Sequence, residues 1–169
     1  MGGHVIWLTG LPSAGKSTIA AAVAERLADG GRAVQVLDGD AVRVELCADL
    51  GYGRADRDEN VRRIGYVASL LAGHGVTVLC PVVSPYRSAR DAVRERVGER
   101  FVEVWVSTPV EVCADRDVKG LYARQRAGTM TGLTGVDDPY EEPLAPDVVV
   151  PTHEVGLDAA VDLIVAALR

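Results

Sequence analysis

The segment "WLTGLPSAGKSTIA", residues 7–20, runs from an apolar stretch into two glycines, a proline, a serine and an alanine, then a lysine and two hydroxyls. Residues this small add little to a core, but they let bare backbone approach another molecule closely. Gly10 to Ser17 fit the spacing Gly-x-x-x-x-Gly-Lys-Ser/Thr, with a strand-like run before them and a helical pattern starting at the lysine. That pattern builds a phosphate cradle. Gly10, Leu11, Pro12, Ser13, Ala14, Gly15, Lys16, Ser17 and Thr18 wrap the anion with main-chain N–H groups at the positive end of a helix. Lys16 is placed to reach the β- and γ-phosphates of ATP, and the Ser17 hydroxyl to ligate Mg²⁺.

A second group lies in "LDGDAVR". Asp40 stands where a carboxylate can orient and deprotonate an acceptor hydroxyl, and Asp38 can serve the metal or its waters. Capping a helix is the structural alternative for either aspartate. A GTPase needs a guanine-reading Asn-Lys-x-Asp, but the one asparagine of the chain, Asn60, is followed by valine. Motor-type ATPases close a later apolar strand with Asp-Glu; here "VTVLC" and "FVEVWV" close on Cys-Pro and Ser-Thr. The acidic residues close the second strand instead, an arrangement that suits a kinase acting on a small molecule.

The elements that must hold these groups read as alternating strands and helices. Strands are expected at 4–8, 33–37, 76–80, 101–106 and 147–150, and helices at 16–28, about 58–73, about 87–98, about 109–124 and 156–168. In the second helix Val61, Ile64, Val67, Ala68 and Leu71 recur at helical spacing, and Gly73 and Gly75 end it. This order gives an α/β fold, a five-stranded parallel sheet between two helical layers. Ligands are then expected beyond the carboxyl ends of the strands.

With 169 residues the chain fits one domain, 1–169, with a core large enough to fold. A net charge of −6 disfavours nucleic acid, which needs a broad basic face. No apolar stretch is long enough to span a membrane, and "MGGHVIW" lacks the basic start of a signal peptide, so a cytoplasmic location is expected. Cys47, Cys80 and Cys113 are too isolated for a zinc site and are expected to be reduced thiols. Of 18 basic residues only Lys16 and Lys119 are lysine, which asks what these two do. Arg94, Arg96, Arg100, Arg124 and Arg126 are expected on solvated faces.

Five further pieces, "LDGDAVR", "DLGYGRADRDENVRRI", "VSPYRSAR", "RDVKGLY" and "TGVDDPYEEP", occur in the order found in adenylylsulfate kinases. From about residue 3 to about residue 150 the chain resembles that family, enzymes of the P-loop NTPase fold that use ATP to phosphorylate the ribose 3′-hydroxyl of adenosine 5′-phosphosulfate. The resemblance implies that Asp40 is the base-like carboxylate, and that Arg43, Arg57 and Asn60 hold the phosphosulfate and ribose. It places Ser84 at a position described in the family as phosphoserine, although direct in-line transfer needs no covalent step. It makes 116–140, with Arg116 and Lys119, a mobile lid, and it implies a homodimer. Arginine forks suit such oxyanions, and a closing lid keeps water from the phosphoryl group.

The chain also departs from the family pattern. It has "PSAGKST" for the usual "SGAGKST", and Ala41 where "DGDN" is usual. Two family phenylalanines that sandwich the acceptor's adenine are matched by Tyr52 and Leu133. Leucine gives only one-sided apolar contact, a loss of about 1 kcal/mol. The alternatives are a related kinase acting on another nucleotide-linked molecule, and an idle nucleotide-binding partner of a sulfate-activating complex.

Overall fold

The computed structural model describes residues 2–168. In chain order its elements are β1 (Val5–Thr9), α1 (Lys16–Asp29), β2 (Val34–Val36), α2 (Gly39–Glu45), α3 (Arg54–Gly73), β3 (Thr77–Pro81), α4 (Arg87–Val97), a 3₁₀ turn (Gly98–Arg100), β4 (Phe101–Trp105), α5 (Val110–Arg116), α6 (Leu121–Arg126), β5 (Val148–Val149) and α7 (Leu157–Ala166). The strands pair in parallel in the order β2-β3-β1-β4-β5. Among the described residues no helix is long and apolar enough to cross a membrane.

Alternation along β1 sorts the core into two layers, because successive strand side chains point to opposite faces. Ile6 and Leu8 join Ile19, Val23, Leu79, Val104 and Ile164 beneath α1 and α7. Val5 and Trp7 join Ile64, Val78, Cys80 and Val93 beneath α3 and α4. All of β1 and β3 is buried, as strands covered on both faces must be. β1 lies between β3 and β4, so its carboxyl end opens into the crevice where the chain crosses from one half of the sheet to the other. The three cysteines are free and buried, and burial pushes the Cys80 thiol up.

The structure departs from the sequence expectation in three places, each near that crevice. α2 was not expected: it has no buried residue and hence no apolar period, and Asp38 starts it by accepting from the Asp40 N–H at 3.0 Å. α3 begins at Arg54, earlier than 58, on a turn whose charge hides its helical phase. The helix expected over 109–124 is two helices. Asp117, at φ 35°, breaks it, and its carboxylate then caps α6 by accepting from the N–H groups of Tyr122 (2.9 Å) and Ala123 (3.0 Å). The break leaves Val118 and Lys119 on an exposed corner.

α3 and α4 approach closely because α3 has no side chain at Gly65: a Cβ there would lie 2.5 Å from Val93 Cγ2. Gly65→Ala therefore costs about 1–3 kcal/mol through overpacking, in spite of alanine's better helix propensity. In denaturant unfolding, Val93→Ala should cost less in the Gly65→Ala background than in the parent. Equal costs would remove the steric explanation.

Candidate active site

A loop that turns its N–H groups to an anion must dispose of its carbonyls on the other side. Donors crowd the Ala14 carbonyl: Thr108 Oγ1 at 3.0 Å, Thr152 Oγ1 at 2.8 Å and Arg116 Nη1 at 3.3 Å. The Pro12 carbonyl accepts from Tyr122 Oη at 2.9 Å. Ser13 at φ 64° and Gly15 at φ 109° make the left-handed bends that separate the two sets of groups. At Gly10 a Cβ would fall 2.6 Å from the Val106 carbonyl oxygen, so only glycine fits. Ser17 and Thr18 stay exposed at the start of α1. This cradle suits a polyphosphate by shape and by charge.

Lys16 is only 8% exposed, and its Nζ donates to the Leu11 carbonyl at 2.7 Å. Burial is the main cause of a pKa lowered to about 8, and Lys119 also pushes it down against the opposing pull of Asp40 and Asp38. The Ser17 hydroxyl donates to Asp38 Oδ2 at 3.0 Å. A hydroxyl and a carboxylate oxygen side by side suit a hard cation such as Mg²⁺. Across the crevice the Asp40 carboxylate pairs with Lys119 Nζ, both groups largely in solvent (side chains 73% and 56% exposed). Lys16, Asp38, Asp40 and Lys119, drawn from three separate sequence motifs, thus converge.

The expected acceptor residues form a neighbouring group. Arg43 Nη1 donates to the carbonyls of Leu50 (3.2 Å) and Gly51 (3.0 Å), and its guanidinium lies 4.2 Å over the Tyr52 ring. Arg57 donates to the Tyr52 carbonyl at 2.6 Å, to the Gly132 carbonyl at 2.6 Å, to Asp138 Oδ2 at 3.1 Å and to the Thr134 hydroxyl. It ties the start of α3 to the 132–138 segment. Asn60 is buried, and its Oδ1 has no hydrogen-bond partner among the described residues.

Two expected site residues have buried side chains. Ser84 is 2% exposed; its hydroxyl accepts from Trp7 Nε1 at 3.0 Å and donates to the Val82 carbonyl at 2.9 Å. These two bonds tie the hydroxyl to β1 and to the loop after β3. Leu133, also 2% exposed, packs in the α1–α7 core, leaving Tyr52 as the exposed ring. Arg94 is only half-exposed, pairing with Glu103 at 3.2 Å and Asp147 at 3.0 Å. The reverse misses are Thr108 and Thr152, single polar residues in loops that carry no period or spacing; Thr134 and Asp138 lie in the "TGVDDPYEEP" motif, but their contact with Arg57 appears only in the fold. Beside the loop lies a cleft of about 560 Å³, lined by Leu11, Trp105, Thr108, Val136, Asp138 and Tyr140 among others.

Comparison with known proteins bears on this geometry. The family model described as adenylylsulphate kinase matches residues 2–151. The curated adenylyl-sulfate kinase of Synechococcus sp. (strain JA-3-3Ab) is 52% identical over 167 residues, 99% of this chain and 94% of that protein. The adenylyl-sulfate kinase of Vibrio vulnificus (strain YJ016) is 50% identical over 165 residues, 97% of this chain and 80% of that one. The solved Mycobacterium tuberculosis APS kinase, in complex with AMPPNP and APS, superposes with a TM-score of 0.94 at 42% identity, covering 99% of this chain and 98% of that one. With a phosphate cradle, a hydroxyl-carboxylate pair and an aspartate facing a lysine already in place, and with likeness along almost its full length, the chain belongs to the adenylylsulfate kinase family.

Proposed function

We propose that this chain is an adenylylsulfate kinase, transferring the ATP γ-phosphoryl group to the 3′-hydroxyl of adenosine 5′-phosphosulfate to give ADP and 3′-phosphoadenylylsulfate. The observation that carries the reading is the placing of Asp40 across the crevice from the phosphate loop, with both lysines of the chain beside it. The Gly10–Thr18 loop holds the polyphosphate, and Lys16 leaves the Leu11 carbonyl to meet the β- and γ-oxygens. Ser17, with Asp38 behind it, is the protein's ligand for Mg²⁺, which neutralises charge on the phosphates when bound.

Asp40 orients the acceptor hydroxyl and takes its proton as the new O–P bond forms and the bond from the γ-phosphorus to the bridging oxygen breaks, releasing ADP. Lys119 must leave Asp40 for this. As an exposed pair it is worth little, so it is readily exchanged for a phosphate contact. Arg43, Arg57 and Asn60 hold the acceptor's phosphosulfate and ribose, and the 116–140 segment closes over both nucleotides. A second reading, another nucleotide-linked acceptor, draws on the burial of Leu133, which leaves Tyr52 alone as base platform. The reading includes a homodimer, expected from the family resemblance. Light scattering at the mass of two chains bears that out, and a single-chain mass overturns it.

One assay tests the reading: ADP release with ATP, Mg²⁺ and a panel of nucleotide acceptors. Turnover with adenylylsulfate alone is expected. Preference for another acceptor favours the second reading, and silence with all of them favours an idle binding partner. In the same assay Lys16→Ala and Asp40→Ala each lose about a hundredfold or more in kcat while the circular dichroism spectrum is unchanged. A near-normal rate in either withdraws that residue's role.

The buried lysine also fixes a pH dependence. Its pKa, lowered to about 8, rises when polyphosphate is brought against it, because an adjacent anion favours the charged form. Binding is then strongest below pH 8, where Lys16 already carries its proton, and weakens as pH rises above 8, by up to about tenfold per unit. Calorimetry in buffers of different ionisation enthalpy should show proton uptake with ATP at pH 8–9. Lys16→Arg, charged throughout, should abolish it; unchanged uptake in that variant assigns the proton elsewhere.

A further inference from the structure

α4 carries a buried cation that none of these steps uses. Arg90 is 1% exposed. Its Nε donates to Glu103 Oε1 at 3.1 Å, one Nη to the Ser84 carbonyl at 2.6 Å, and the other to the Glu141 carbonyl at 2.6 Å. Glu103, buried on β4, also accepts from Arg94 through its second oxygen. An ion pair inside a protein contributes little net stability, since apolar residues of the same volume do as well. What a hydrophobe cannot do is hold two backbone carbonyls at fixed positions, which a planar fork does.

The two carbonyls belong to segments far apart in sequence. Ser84 sits in the loop leaving β3, held at φ 43°, where a residue with a side chain is strained. Glu141 is where the lid segment rejoins the body. The two are laced together: the Glu141 N–H donates to the Pro85 carbonyl at 2.8 Å, and its carboxylate accepts from the Arg87 N–H at 3.0 Å. Tyr140 Oη meets Thr9 Oγ1 at 2.9 Å, and Thr9 Oγ1 donates to the Val83 carbonyl at 2.7 Å. A few residues upstream, 132–138 carries the contacts to Arg57. The phosphate loop is gripped by other residues, Thr108, Thr152, Arg116 and Tyr122.

We infer that Arg90 is a positioning residue for the acceptor half of the site: by holding the Ser84 and Glu141 carbonyls it sets the β3–α4 loop and the downstream root of the lid, and through them the place of Arg57. The inference rests on the adenylylsulfate kinase reading. Arg90 touches no reacting group and acts only through these segments. Because its bonds bypass the phosphate loop, its loss falls on one substrate and spares the other.

The experiment is steady-state kinetics with each substrate varied in turn, on the parent protein and two variants. Arg90→Lys keeps a charge opposite Glu103 but has no fork. Arg90→Met with Glu103→Leu removes the pair without stranding a buried charge. In both, KM for adenylylsulfate should rise about tenfold or more, with KM for ATP within about twofold of the parent. Equal rises for both substrates, or parental constants for both, overturn the positioning role while leaving the functional reading intact. Failure of the parent to turn over adenylylsulfate overturns the reading and this inference with it. Should the double variant not fold, Arg90→Lys decides by the same criterion.

Discussion

Every peptide unit that offers its N–H to a ligand leaves a carbonyl to be satisfied behind it, and in this protein that requirement organises the whole carboxyl end of the sheet. The carbonyls of Leu11, Pro12 and Ala14 all face protein donors. Those donors come from Lys16 on α1, Tyr122 on α6, Thr108 after β4, Thr152 after β5 and Arg116 on α5. The phosphate loop is therefore held by side chains from the exits of β4 and β5, from the end of α5 and from α6. These contacts hold the upstream end of the 116–140 segment, whereas Arg90 holds its downstream end.

The charges in the crevice follow a second rule: a group meant for a ligand needs a partner it can give up. Asp40 and Lys119 satisfy each other in solvent, where an ion pair is worth about 1 kcal/mol or less. Lys16 satisfies the Leu11 carbonyl instead, and burial makes its charge costly until an anion arrives. In the proposed mechanism the exposed pair is the one exchanged on closure, and the buried lysine is the one an anion stabilises. The two lysines thus differ in environment, one buried and one in solvent, as their proposed tasks differ.

How much of this the sequence showed depends on how local the cause was. The five strands and the loop at 10–17 were legible because burial on both faces and a fixed spacing leave marks within a few residues. α2 was not, since a helix with no buried face has no apolar period. The break at Asp117 was hidden because an aspartate in a charged run looks like a helical surface residue until its carboxylate is seen to cap the next helix. Nor was the burial of Ser84 and Leu133 legible, since it is set by Trp7 and by the α1–α7 core rather than by their neighbours in sequence. Arg90 closes the "VSPYRSAR" motif, but its task was not legible, because its partners at 84, 103 and 141 meet only in the folded chain.

The uneven use of basic residues then has a physical meaning. Arg57, Arg63 and Arg90 each make several bonds at once, to carbonyls, hydroxyls or carboxylates, and hold segments in one arrangement. A fork serves that purpose because breaking one of its bonds leaves the others in place. Lys16 and Lys119 each make a single bond from a flexible stem. An ammonium with one contact can leave it and follow a phosphate without dismantling anything else, which is what a phosphoryl-transfer site demands of the cations nearest the reaction.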